Sequence, residues 1–98
     1  MTIAEKQWMD DLSQIGCVVC AMQGHPGTPA EIHHVLFAGR RQSDLETIGL
    51  CAGHHRTNDE PNKISRHPWR KRFEKEYGTE AELLQATRVM VSKRRNHG

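Results

Sequence analysis

Ninety-eight residues, 36% of them hydrophobic and 5% aromatic, make one small domain that apolar burial alone would leave marginal, so a further staple is expected. The net charge of +2 hides a division: residues 1–39 carry one Lys/Arg against four carboxylates, residues 40–98 thirteen against eight, and the basic part suits a polyanionic partner. No apolar run is long enough to span a bilayer, and the N-terminus lacks a basic start followed by an apolar stretch, which argues against membrane and secretory classes and for a reducing cytoplasm.

Residues 2–15, TIAEKQWMDDLSQI, read as a helix: Thr2 and Glu5 have capping-box spacing, Ala4, Trp8, Leu12 and Ile15 line one stripe, and Gly16 ends it. CVVC follows, then a Gly/Pro-rich loop over residues 21–30. EIHHVLF (31–37) reads as one short strand, residues 38–47 as a polar loop and IGLC (48–51) as a second strand. AGHHRTNDE opens a helix limited by Pro61, and Pro68 suits the first turn of the next, where Trp69, Phe73 and Tyr77 recur as core positions before Gly78. Thr79 and Glu82 cap a last helix to about Arg95, whose Lys93, Arg94 and Arg95 suit its negative C-terminal end. His25 and His97 read as solvated.

Cys17-x-x-Cys20 and Cys51-x-x-His54 are two chelating pairs thirty residues apart, which together supply the four N/S ligands of a closed tetrahedral zinc site. Such a site can contribute on the order of 10 kcal/mol to folding, the staple a small polar chain needs. Three buried free cysteines beside an incidental histidine, or a redox Cys-x-x-Cys, are the competing readings; no thioredoxin-like βαβ pattern surrounds the motif. The zinc reading uses His54 and leaves His33, His34 and His55, a histidine pair on a strand and a histidine opening a helix.

The stretch EIHHV…DLETIGLCAGHHR resembles the HNH (His-Me finger) endonucleases, and ISRHPWRKRFEKEYGTEAELL narrows the likeness to the phage Ref family of RecA-dependent recombination-enhancement nucleases, over roughly residues 17–84. The resemblance implies an α+β fold: a small ββα-metal (HNH) core with a structural zinc knuckle and flanking helices. It divides one domain of residues 1–98 into an N-terminal helix (1–16), knuckle and core (17–67) and C-terminal helices (68–96). It implies His33 as a ligand of a catalytic divalent cation, His34 as the general base that activates water, and His55 as a second ligand. His67, in SRHPW, is the third ligand, with Asp59, four residues after His55, the alternative. The middle Asn of the family motif is not evident; Asp44, Glu46 or Thr47 stands where it would fall.

The chemistry is self-consistent. A neutral imidazole near its ordinary pKa of about 6.5 suits general-base work at neutral pH, and a cation with open positions stabilises a developing phosphorane. Mg²⁺ or Mn²⁺ is the expected working metal, with Zn²⁺ or Ni²⁺ compatible with an imidazole-rich set. Arg40 and Arg41 between the strands, and Arg66, Arg70, Lys71 and Arg72 beside the site, form the expected nucleic-acid face. The expected activity is DNA phosphodiester hydrolysis in the cytoplasm of a bacterial host, from a phage or prophage, with the RecA filament as partner. The rival readings are a non-catalytic zinc module that binds DNA and an adaptor docking on a recombinase filament.

Overall fold

The structure, a computed structural model, describes residues 1–97; Gly98 and the side chain of His97 lie outside the described residues. Helix α1 spans Ile3–Ile15 and begins on a complete capping box: the Glu5 amide donates to Thr2 Oγ1 (3.1 Å) and the Thr2 amide to Glu5 Oε1 (2.8 Å). Truncating Thr2→Ala should therefore cost about 1 kcal/mol in chemical denaturation, with Glu5→Ala adding little on top because both arms belong to one cap. Trp8 and Leu12 are buried while Ala4 is exposed, so the apolar stripe is narrower than the periodicity implies. Asp11 fills out the buried face, and its carboxylate accepts from Arg94 Nε (3.1 Å) and Arg95 Nη2 (2.7 Å). These arginines, expected to serve the end of their own helix, instead tie it to α1.

Gly16 closes α1 with φ 75° and so close to Thr28 that a Cβ would overlap its carbonyl oxygen. Cys17 then caps a short helix, α2 (Val18–Met22), its Sγ accepting from the Cys20 amide at 3.4 Å. The turn needed for two chelating cysteines is thus the first turn of a helix, and the expected loop starts two residues later than its Gly/Pro content suggests. Strands β1 (Glu31–His34) and β4 (Thr47–Leu50) pair antiparallel, with His33 opposite Ile48 and His34 opposite Thr47. β4 is buried throughout, and a Cβ on Gly49 would lie 2.6 Å from the Gly16 carbonyl oxygen. Only glycine lets the end of α1 cross this strand so closely.

The single strand expected over residues 31–37 is broken. Val35 is buried and its amide still donates in register to the Glu46 carbonyl (2.9 Å), but the Glu46 amide turns back to the Ser43 carbonyl (3.0 Å), and the β1–β4 ladder ends there. Leu36–Phe37 (β2) then pairs with Arg40–Arg41 (β3) in a ribbon within the stretch expected to be loop. Its two-residue connection, Ala38–Gly39, has positive φ at both positions (50° and 73°), as a type I′ hairpin requires.

After β4 the chain makes a π-helical turn, Gly53–Thr57, ended by Asn58 in the left-handed region, where a longer helix was expected. The backbone of residues 66–67 runs alongside it: the Arg66 amide donates to the His54 carbonyl (2.8 Å) and the His67 amide to that of His55 (2.9 Å). Helix α3 (Arg70–Tyr77) begins two residues after Pro68 and buries Phe73 completely, with Tyr77 half-buried. Trp69, expected in the core, stays 41% exposed, its Nε1 donating to Asn58 Oδ1 (2.7 Å). Helix α4 (Glu80–His97) starts on the expected reciprocal Thr79–Glu82 bonds and lies against α1, α2 and β4. The core is small and aliphatic: Leu12, Val18, Val19, Val35, Ile48, Leu50, Leu83 and Val91 around Phe73 and Trp8. The architecture is α+β, as expected, with helices packed on short antiparallel sheets.

Candidate metal centres

The end of α1, the start of α2, the end of β4 and the π-helical turn converge on four side chains. Cys17, Cys20, Cys51 and His54 are all buried, and their ligand atoms lie within 4.8 Å of one another. His54 Nδ1 is 3.5, 3.6 and 3.2 Å from the sulfurs of Cys17, Cys20 and Cys51, and Cys20 and Cys51 are 3.8 Å apart. These sulfurs are not bonded to each other. A tetrahedral ion with bonds of about 2.3 Å to sulfur and 2.0–2.1 Å to nitrogen separates its ligands by about 3.5–3.8 Å, so the four atoms already sit near the corners such an ion requires.

The electrostatics agree. Burial, and then the Lys63 ammonium, hold the His54 pKa down to about 4, so the ring is neutral with a lone pair to give. Burial pushes the Cys17 thiol up to about 12. Burial also opposes ionisation of Cys51, but the His54 amide, the neighbouring thiols and Lys63, whose Nζ is 3.5 Å from the sulfur, outweigh it and hold this thiol low. The His54 ring packs edge-on against Tyr77 at 4.9 Å, and its Nε2 has no hydrogen-bond partner among the described residues. Three buried thiols cannot all ionise around one ammonium; a dication resolves that conflict. The cluster is a buried Cys₃His group that could hold a structural metal such as zinc.

The residue after His54 enters a second cluster. His33, His55 and His67 bring one nitrogen each within a common 4.8 Å span, and burial grades from His33 (buried) through His55 to His67 (exposed), so the group opens to solvent on one side. The sequence left His67 and Asp59 as alternatives; among the described residues the group contains His67. The π-helical turn ends before Asp59, which removes the helical face it would have shared with His55, and the backbone pairing of residues 66–67 with 54–55 carries His67 in. Burial first, then Arg66 and the other two imidazoles, lowers the His67 pKa from its ordinary value.

Two carboxylates orient this cluster. Glu80 Oε1 lies 2.9 Å from His33 Nε2, and Glu31 Oε1 lies 2.8 Å from His55 Nδ1. An ionised carboxylate can only accept, so those nitrogens carry the protons. Arg56 first, then His55, hold Glu31 ionised with a pKa of about 2. Burial alone would raise Glu80, but the His33 hydrogen bond, the Leu36 amide and Arg66 hold it at about 2. What remains is His33 Nδ1 facing His55 Nε2 at 3.3 Å, a contact that sets two lone pairs against each other when both rings carry a single proton. That contact is repulsive by itself and favourable around a shared cation. Carboxylate–histidine pairs of this kind fix the tautomer and raise ligand basicity.

His34, the last residue of β1, points away from the three-histidine group, as strand alternation demands. Its Nε2 lies 3.0 Å from Asp44 Oδ1 and 2.9 Å from Arg41 Nη2. Of the residues standing where the missing Asn would fall, Asp44 reaches His34, Thr47 braces the loop by donating to the Asp44 carbonyl (2.9 Å) while accepting from Trp8 Nε1 (2.9 Å), and Glu46 contributes its carbonyl to Val35.

Arg40, Arg41, Arg70, Lys71 and Arg72 are exposed, as a nucleic-acid face needs, with Arg70 reaching Glu74 (3.2 Å) and Arg72 over the Trp69 ring at 5.5 Å. Arg66 departs from that expectation. It is 6% exposed and its guanidinium is spent on Glu80, with Nε at 2.7 Å, so it braces the His33 carboxylate from inside. Sequence reasoning missed Glu31 and Glu80. Glu31 had a usable signal, since residues 31 and 33 share one face of β1. Glu80 had none, being 47 positions from His33.

The α+β fold joins, through adjacent residues, a closed Cys₃His cluster that could hold a structural metal to a three-histidine cluster that is open to solvent. The family model described as recombination enhancement, RecA-dependent nuclease, matches residues 1–92, and the chain belongs to that family. A comparison with curated proteins finds no match. Among the described residues, no helix is long and apolar enough to cross a membrane.

Proposed function

We propose that this chain is an HNH (His-Me finger) endonuclease that hydrolyses DNA phosphodiester bonds with a divalent cation held by His33, His55 and His67, and that it works with the RecA filament in a bacterial cytoplasm as a phage or prophage product. The single observation that carries the reading is His33 Nδ1 facing His55 Nε2 at 3.3 Å within the three-histidine group, each ring held from behind by a carboxylate. The fit extends to the imidazole-rich donor set and its solvent-open side. The ion, when bound, would supply positive charge to the scissile phosphate and its leaving oxygen, with Mg²⁺ or Mn²⁺ preferred and Zn²⁺ or Ni²⁺ compatible with the ligands.

His34 is the base. Arg41 can only donate, so His34 can direct an Nε2 proton to Asp44 once Arg41 has moved from that nitrogen onto a phosphate. The Nδ1 lone pair is then free to take a proton from the attacking water, and the Asp44 carboxylate stabilises the imidazolium that results. Its place at the end of β1 lets it approach a phosphate held at the cation from the neighbouring face. Arg41, beside His34, and exposed Arg40, Arg70 and Arg72 supply phosphate contacts. Cys17, Cys20, Cys51 and His54 hold zinc as a staple, which positions His55 one residue further on.

Cleavage of single-stranded, duplex and filament-coated DNA by the purified chain, with and without Mg²⁺ or Mn²⁺, tests the reading. Metal-dependent nicking of at least one substrate is expected. No cut on any substrate with either metal would sink the nuclease assignment and leave a zinc-containing DNA-binding module or filament adaptor. Glu31→Ala should weaken Mn²⁺ binding at the three histidines by about ten- to a hundredfold in calorimetric titration, with zinc content unchanged; equal affinity would remove Glu31 from the site.

A further inference from the structure

The β2–β3 ribbon is unlike the rest of the molecule. Every residue from Leu36 to Arg41 is exposed, yet Leu36 and Phe37 are 44% and 58% accessible apolar side chains. A two-stranded ribbon with neither face covered gains little from its own pairing, and this one also places Ala38, a residue with a Cβ, in the left-handed region to make its tip narrow. Its register sets each apolar side chain against an arginine, Leu36 opposite Arg41 and Phe37 opposite Arg40. Among the described residues neither arginine pairs with a carboxylate.

The base of the ribbon is held to both halves of the candidate site while its tip projects. The Leu36 amide donates to Glu80 Oε2 (3.2 Å), the carboxylate behind His33, and Arg41 contacts His34. Beside it runs an open groove of about 330 Å³, with Leu36 and Phe37 on one side and Arg70 and Glu74 on the other.

We propose that this ribbon is a wedge for DNA whose bases are unstacked or unpaired: Phe37 stacks on a base next to the cleaved phosphate, with Leu36 filling the groove and Arg40 and Arg41 on the flanking phosphates. A partner that satisfies a guanidinium and an apolar side chain set directly opposite each other offers anionic and flat apolar surface in alternation, and a nucleic-acid strand with splayed bases does so. A fully stacked duplex presents its phosphates but hides the base faces. The inference rests on the nuclease reading for the position of the cut, but the ribbon's binding is separable from it.

The test is fluorescence anisotropy with the 98-residue chain carrying His34→Ala, so that DNA stays intact, on 2-aminopurine-labelled single-stranded, bubble-containing and fully paired oligonucleotides. Phe37→Ala should lose roughly ten- to a hundredfold in affinity for the single-stranded and bubble DNA, abolish the quenching of 2-aminopurine, and change duplex affinity little. Arg40→Ala should weaken all three and lower the salt slope by about 1. Unchanged affinity in Phe37→Ala, or an equal loss on all three, overturns the wedge; so does concentration-dependent self-association that disappears with Phe37→Ala, which would make the ribbon a contact between copies. Cleavage by the parent chain together with Phe37-independent binding sinks the wedge alone. Phe37-dependent discrimination without cleavage in any metal sinks the nuclease reading and leaves the wedge standing.

Discussion

Replacing His34 by alanine is expected to lower metal-dependent DNA cleavage by about 10²–10⁴, the range for loss of a positioned general base, while zinc content, thermal unfolding and DNA affinity stay near those of the parent. The separation follows from geometry. His34 lies on the opposite face of β1 from His33, outside the three-histidine group, and touches Asp44 and Arg41 rather than the core. Its hydrogen-bonding contacts are to a partly exposed carboxylate and an exposed arginine, so the variant should fold. Unchanged cleavage would remove His34 from the mechanism, and loss of zinc or of the folded state would show that its role is structural. Asp44→Ala should give a smaller loss, since the base remains and only its orientation and the stabilisation of its protonated form are removed.

Cys51→Ala should have the largest effect on stability. A structural zinc site contributes on the order of 10 kcal/mol, against a total stability of about 5–15 kcal/mol for a typical domain. Removing one of four ligands therefore takes this small core to or past its unfolding point, and circular dichroism with metal analysis should show an unfolded or molten chain without bound zinc. His54→Cys is the informative companion: four thiolates also make a closed tetrahedral site, so that variant should keep its metal and fold, while Cys51→Ala does not. A Cys51→Ala chain that melts at the parent temperature without metal would eliminate the knuckle as a staple. Because His55 follows His54 on the same π-helical turn, partial folding should also appear as weakened Mn²⁺ binding at the histidine cluster.

How much was legible varies with the reach of the interaction. The two capping boxes were readable because their partners stand three residues apart. The Cys₃His group was readable because each half is a local turn, and only one rule, that tetrahedral sites need four ligands, joins the halves. Strand and helix lengths were less legible. The break after His34 depends on the Glu46 amide finding its acceptor at Ser43, and the shortened helix after Cys51 depends on residues 65–67 taking up the carbonyls of the turn. Trp69 followed helical spacing but lies just before α3 begins, where the chain has not yet turned that position inward.

By itself, then, the sequence determined the ligand types, their pairing into chelating turns and the α+β character, since each depends on spacing within a few residues. The tertiary structure decided which histidine completes the open cluster, which carboxylates stand behind it, and that Arg66 faces inward while the ribbon faces out. These outcomes hang on contacts between distant positions, Glu80 with His33 and Asp11 with Arg95 among them. A carboxylate 47 residues from the imidazole it holds leaves no periodicity behind; only packing α4 against the sheet brings the two within hydrogen-bonding reach.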